Sequence, residues 1–244
     1  PGSVTDIGKY AFARNDNLKT VELPDSITEI KDSIFYDDYN LESIKLPKNL
    51  KTIGEHAFTW CRSIKSLEIP DSVTEIGEYA FSACYGLETI HLPKGLTNVV
   101  YGTFVDCSKL TDITIPENVT KIDTDAFKGC QALRSVYIPG NSVKIEKRAI
   151  GYNSDTEKNS TLVLIGHKGS TAETYAAGEN FAFHNVTDPL THYASVEPTC
   201  INEGNIEYWH CNVCGKDFSN EAGTVVSGET KIEKLEHKFT WVDW

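Results

Sequence analysis

The chain is predicted to be a solenoid: a coil of thin, stacked turns, β-rich, right-handed, with one strand per turn and a compact crossing behind it. Two observations predict this. A Leu/Ile-Pro dipeptide recurs at Leu23-Pro24, Leu46-Pro47, Ile69-Pro70, Leu92-Pro93, Ile115-Pro116 and Ile138-Pro139, always 23 residues apart. Apolar residues hold fixed offsets from it, and a strict period of this length marks units too small to bury their apolar side alone, so that stacking must supply the core.

Each part of the unit follows from its residues. Four files of like side chains run through the repeats, represented in one unit by Ile76, Phe81, Leu87 and Ile90. The phenylalanine file is the most regular: Phe12, Phe35, Phe58, Phe81, Phe104 and Phe127, with Ile150 in the next slot. Leu67-x-Ile69 alternates apolar with polar, the pattern of a short strand with one buried face. Pro70 follows, and a residue without an N–H belongs where strand pairing ends. Val73, Ile76 and the Ala80-Phe81 pair then predict a compact turn or one helical turn, with Gly8, Gly54 and Gly77 at a tight bend. The slot holding Asn15, Asp38, Cys61, Cys84, Cys107, Cys130 and Asn153 calls for small groups that hydrogen-bond turning backbone. Cysteine is therefore read there as structural, with disulfides between rungs as the alternative.

Ile64 to Leu87 fits the pattern Leu-x-x-Ile-x-Ile-Pro-x-x-Val-Thr-x-Ile-Gly-x-x-Ala-Phe-x-x-Cys-x-x-Leu almost residue for residue. In this it resembles the BspA-type leucine-rich repeat, and the resemblance covers residues 1–186. It departs at Asn15 and Asp38 in the Cys slot and at Val99-Val100 in place of Ile-Gly. The resemblance implies a leucine-rich-repeat solenoid, location at the bacterial cell surface or outside the cell, and binding of a host or matrix protein.

Towards the C-terminus the repeat loosens. Residues 151–160 form a polar insertion, and Thr161 to Ile165 gives a last, displaced strand. Ser170-Thr171-Ala172-Glu173 has the form of a capping box, Gly178 is expected to end the short helix, and Phe181 and Phe183 alternate as a closing strand. The solenoid is thus assigned to residues 1–188, with its cap at about 151–186. The first rung's uncovered apolar edge predicts further repeats or a cap upstream in the intact protein. The chain has no methionine, which marks it as a fragment, and no apolar run long enough to span a membrane.

Composition changes after Pro189, and residues 189–244 are assigned to a small, β-rich, zinc-ribbon-like module. Cys211-Asn212-Val213-Cys214-Gly215 is a Cys-x2-Cys-Gly knuckle, whose spacing lets two thiolates take adjacent corners of a tetrahedral zinc. Cys200 would be the third ligand and His192 the fourth, with His237 as the alternative to His192; His210 is expected to point away. A site of three thiolates and one imidazole is closed and structural. The other reading is a disulfide from Cys200 to Cys211 or Cys214. Leu190-Thr191-His192 is echoed by Leu235-Glu236-His237, the possible start of a second copy.

The net charge is −12, from 23 Lys and Arg against 35 Asp and Glu, and both parts of the chain are acidic. That argues against nucleic acid, whose backbone needs a basic stripe. Stacking sets equivalent residues side by side, and the rows Asp25-Lys48-Asp71-Lys94-Glu117, Lys19-Glu42-Lys65-Glu88 and Glu22-Lys45-Glu68-His91 alternate in sign. Such charges are expected to pair laterally. Alternation lapses where Thr111, Thr114, Arg134 and Tyr137 join His91, and those five residues are the predicted partner-binding candidates. Trp60, Tyr85 and Tyr101 on the turns form a second candidate surface.

No catalytic motif is present: no His-Glu-x-x-His, no Gly-x-Ser-x-Gly and no phosphate-binding glycine loop. The expected function is a non-enzymatic extracellular binding or adhesion module whose partner is an extracellular or host protein, or a glycan. The alternative is a passive spacer or targeting domain attached to a larger secreted enzyme.

Overall fold

The structure, a computed structural model, describes residues 3–199 and 202–233. The chain divides into two compact units, 1–185 and 186–244.

The first unit is a β-solenoid with two strand rows and a row of turns. The longer strands are Thr20–Glu22, Ser43–Lys45, Ser66–Glu68, Thr89–His91, Asp112–Thr114 and Ser135–Tyr137. Shorter ones follow within each turn, as at Glu29–Ile30, Thr52–Ile53 and Glu75–Ile76. Pairing is parallel, and the partners of Val21, Thr52 and Leu67 are Ile44, Glu75 and Ile90, each 23 residues on. In the first five long strands the central residue is more buried than its neighbours, and Leu67 is buried between exposed Ser66 and Glu68; in the sixth Ser135 is buried as well. The four predicted files form one continuous core, in which Phe35, Phe58, Phe81, Phe104 and Phe127 are fully buried and stacked ring on ring.

The crossing behind the strands is not a helical turn. The rungs up to Gly129 each have two residues there with left-handed backbone, four apart: Ser33 and Asp37 at φ 57° and 63°, His56 and Trp60 at 55° and 71°, Tyr79 and Ala83 both at 55°. A right-handed helix cannot run through such residues. Amide N–H groups of one rung donate to carbonyls of the next instead, as from Phe35 to Ala57 (2.9 Å), Phe58 to Ala80 (2.8 Å) and Phe81 to Thr103 (2.9 Å). Among the described residues the one α-helix is Thr171–Glu179. Gly54 does not serve as a left-handed bend either. A Cβ on it would lie 2.6 Å from the backbone nitrogen of Asp32, so close approach of neighbouring rungs is what excludes a side chain.

The cysteine slot is structural. Cys61, Cys84, Cys107 and Cys130 are buried free thiols, so no bridge joins the rungs at these four positions. Each Sγ–H donates to the carbonyl of a phenylalanine in the preceding rung, from Cys61 to Phe35 and Cys84 to Phe58 at 3.1 Å, and from Cys107 to Phe81 and Cys130 to Phe104 at 3.2 Å. Burial pushes the Cys84 thiol up to about 12, which keeps this donor protonated.

After Ser135–Tyr137 the register slips. Ser135 pairs with Val163, 28 residues on, because the polar insertion adds five residues to that turn. Val163–Gly166 is followed by the helix and by Ala182–Asn185, the last parallel strand of the unit. Ser170 Oγ accepts the Glu173 amide at 3.4 Å, half of the predicted box. The reciprocal bond goes to the Gly169 amide, at 2.6 Å, since the Ser170 amide donates to the His167 carbonyl. The helix runs through Gly178 and ends at Asn180, whose φ of 59° provides the left-handed C-cap expected of the glycine.

The second unit holds an antiparallel sheet of Leu190–Tyr193, Tyr208–Cys211 and Lys216–Phe218, and a pair formed by Gly204–Asn205 and Lys231–Ile232. Among the described residues its buried apolar side chains are Cys211, Phe218 and Val226. No helix among the described residues is long and apolar enough to cross a membrane.

Candidate functional site

On the solenoid three couples of the charged rows pair across neighbouring rungs. Glu22 meets Lys45, Lys19 meets Glu42 at 3.6 Å, and Asp71 meets Lys94 at 3.0 Å. These side chains are more than half exposed, so each pair is worth about 0–1 kcal/mol and serves mainly to fix register. Beyond Lys94 these rows hold no further lateral pair among the described residues. A groove of about 590 Å³ opens over the strands Thr89–His91, Asp112–Thr114 and Ser135–Tyr137, with Ile90 and Ile113 as its floor.

His91, Thr114 and Tyr137 occupy one row across this groove. Thr114 and Tyr137 are register partners. Among the described residues, the side chains of these three and of Glu117 make no hydrogen bond or ion pair. Burial, followed by the Glu117 charge, pushes the Tyr137 phenol up, so it remains a hydrogen-bond donor beside an acceptor. The groove therefore offers a half-buried aromatic ring, an imidazole, a hydroxyl and a carboxylate that the fold itself does not use.

The other two predicted partner-binding residues lie elsewhere. Thr111 donates its hydroxyl to Asp112 at 2.7 Å, and Arg134 is half-buried; neither lines the groove. Both sit one position before a strand, where outward alternation no longer applies. On the turns, the Arg62 guanidinium lies over the rings of Trp60 at 4.8 Å and Tyr85 at 5.6 Å, two rings that are each 39% exposed. Tyr101 packs edge-on against Tyr79 instead.

In the second unit, Cys211 and Cys214 form the expected tight hairpin. The Cys214 amide points at Cys211 Sγ at 3.5 Å, the Gly215 amide donates to the Cys211 carbonyl at 2.8 Å, and Gly215 is left-handed at φ 68°. Here glycine is needed for the turn itself. His192 is not beside this pair. Register sets His192 opposite Trp209 and Leu190 opposite Cys211, so the imidazole is on the right face but two residues along. It stacks on Trp209 at 4.9 Å and meets Glu207 at 2.9 Å. His210 alternates to the opposite face from Cys211 and bonds Asp217 at 2.6 Å. Cys200 and His237 lie outside the described residues.

Residues 1–62 and 28–157 match the BspA type leucine-rich repeat region, in six copies. Among solved structures the chain is similar to a leucine-rich repeat protein of T. pallidum, with 28% identity and a TM-score of 0.52 over 61% of this chain and 69% of that one. It is also similar to a leucine-rich cell surface protein of Faecalibacterium prausnitzii (22% identity, TM-score 0.40, 68% of this chain and 64% of that one). A leucine-rich repeat protein of Eubacterium ventriosum is a third (21%, 0.49, 62% and 42%). The chain thus spans less than two thirds of the latter two. No curated protein matches it. With the 23-residue register, the stacked phenylalanines and the cysteine slot all in place, the chain belongs to the BspA-type leucine-rich repeat family.

Proposed function

We propose that the solenoid is a non-enzymatic, extracellular binding module of a bacterial surface or secreted protein, and that it holds a host or matrix macromolecule in the groove over residues 89–137. One observation carries this reading: the side chains of His91, Thr114, Glu117 and Tyr137 are left unpaired in a single groove, whereas in the preceding rungs the couples Lys19–Glu42, Glu22–Lys45 and Asp71–Lys94 pair laterally. An extended solenoid offers such a surface without any moving part. The four rung cysteines are buried and hydrogen-bonded, so none is offered as a nucleophile. The surface location rests on the family resemblance.

The test is binding to immobilised host extracellular-matrix proteins, comparing the wild-type chain with His91→Ala and Tyr137→Ala. Each substitution should weaken the Kd about tenfold, since an aromatic anchor at an interface contributes ~1–2 kcal/mol or more. Thermal stability should be unchanged. Equal binding by the double variant would remove the groove from the interface.

For the second unit we propose that Cys211 and Cys214 hold half of a structural zinc site, with Cys200 as a third ligand. An amide aimed at a sulfur across a Cys-x2-Cys-Gly turn suits thiolates bound to metal. Zinc would tie together a unit whose apolar core is small. Metal analysis should return about one zinc per chain, and Cys211→Ser should abolish it. His192→Ala should retain the metal, because Glu207 and Trp209 already engage that ring. A disulfide at Cys211 in the purified protein would overturn the assignment.

A further inference from the structure

Asp38 occupies the slot that Cys61, Cys84, Cys107 and Cys130 fill in later rungs, and it is as buried as they are. In those rungs two bonds recur. The thiol donates to the phenylalanine carbonyl of the rung before, and the slot residue's own amide closes a turn on the phenylalanine three residues back, as Cys61 does on Phe58 at 3.1 Å. At Asp38 the second bond is kept, its amide donating to the Phe35 carbonyl at 3.3 Å, but the first is lost. The Asn15 amide, which register would send to the Phe12 carbonyl, donates to Asp38 Oδ1 at 2.7 Å. Oδ2 is buried with no partner. Among the described residues the Phe12 carbonyl accepts no amide. A buried acceptor oxygen thus stands in the slot from which later rungs send an S–H to the equivalent carbonyl.

An ionised carboxylate has no hydrogen to donate, and two acceptors cannot satisfy each other. We propose that Asp38 is a proton-operated latch between the first two rungs: protonated, its Oδ2–H donates to the Phe12 carbonyl as the later cysteines do, and ionised, it leaves Oδ2 and the Phe12 carbonyl oxygen unsatisfied while Oδ1 keeps the Asn15 amide. Mild acid then tightens this end of the solenoid and neutral pH loosens it. The surroundings favour the neutral form. Burial acts most strongly, pushing the carboxyl up to about 6; the Asn15 amide opposes it, and the charges of Asp37 and Asp16 add to the rise. Cys61, the thiol stacked in the next rung, is itself held neutral by burial, and among the described residues the charges that act on the carboxyl are the acidic ones of Asp37 and Asp16.

The sign follows from linkage. A carboxyl that binds its proton more tightly when folded stabilises the folded state at low pH, and loses that contribution as pH rises through the folded value. With an unfolded value of about 4, the unfolding constant should fall about tenfold between pH 7 and pH 5 from this group alone. Other carboxylates titrate too, so the readout is the wild type compared with Asp38→Cys and Asp38→Asn. Asp38→Cys supplies the thiol donor at every pH and should be the more stable protein at pH 7, with the advantage shrinking about tenfold towards pH 5. The wild-type Asp38 carboxyl carbon, followed by NMR, should titrate near pH 6, and that measurement stands even if a variant fails to fold. A midpoint near 4, or an unchanged difference between wild type and Asp38→Cys across the range, would overturn the latch.

Discussion

Phe81 shows what one residue contributes to a stacked core. Its ring centroid is 5.4 Å from that of Phe58 and 5.5 Å from that of Phe104, with planes within 3° and 5° of parallel. Strands in a sheet are about 4.8 Å apart, so the rings are stacked with a lateral slip, the offset that aromatic quadrupoles favour. Removing this ring opens a void between two others that the rung backbones hold in place. Phe81→Ala should therefore cost ~3–5 kcal/mol, read as a lowered urea midpoint with an unchanged slope. A loss below about 1 kcal/mol would mean that the phenylalanine file is not interior. Phe81→Leu, which refills most of the volume, should cost clearly less.

At the scale of the element, what could be read from the residues depended on whether side chains or backbone set the structure. The strand at 66–68 announces itself because alternation, a following proline and a constant offset all act through side chains. The turn row does not. Its left-handed slots hold Tyr10, Ser33, His56, Tyr79, Gly102, Asp125 and Arg148 in one column, a set with no shared chemistry and a single glycine. Each non-glycine there costs roughly 1–2 kcal/mol relative to right-handed backbone, and the amide-to-carbonyl bonds between rungs offset it. That compensation becomes visible only once two rungs are stacked. The same limit applied at the cap: residue types located the helix, but Gly178 was the wrong terminator because Asn180 lies where the chain must reverse to lay Ala182–Asn185 beside Val163–Gly166. The groove was half legible. The loss of charge alternation pointed to His91, Thr114 and Tyr137, whereas Thr111 and Arg134 fell outside it because strand alternation had not yet begun at their positions. Asp38 stood out as a departure from the cysteine slot, yet its unpaired oxygen needed coordinates to be seen.

At the scale of the whole solenoid, strand register and turn bonds between repeat rungs connect residue i with a partner 22 to 24 positions on, or 27 to 29 across the insertion, so each rung is fastened to its neighbours and not to distant parts of the chain. Stability should then be close to a sum of rung and nearest-neighbour contributions. Excising residues 64–86 tests this directly. Such a deletion joins Ser63 to Leu87, which takes over the slot of Ile64, so that every later side chain keeps its column and its inward or outward direction. The shortened chain should fold with β-rich circular dichroism and unfold cooperatively, at a lower urea midpoint because one interface is gone. Excising residues 64–75 removes only about half as much chain but breaks the period, placing Ile76 in the slot of Ile64 and leaving the following phenylalanine out of file. That chain should lose cooperative unfolding altogether. Equal tolerance of the two deletions would mean that long-range contacts, and not stacking of equivalent slots, hold the coil together.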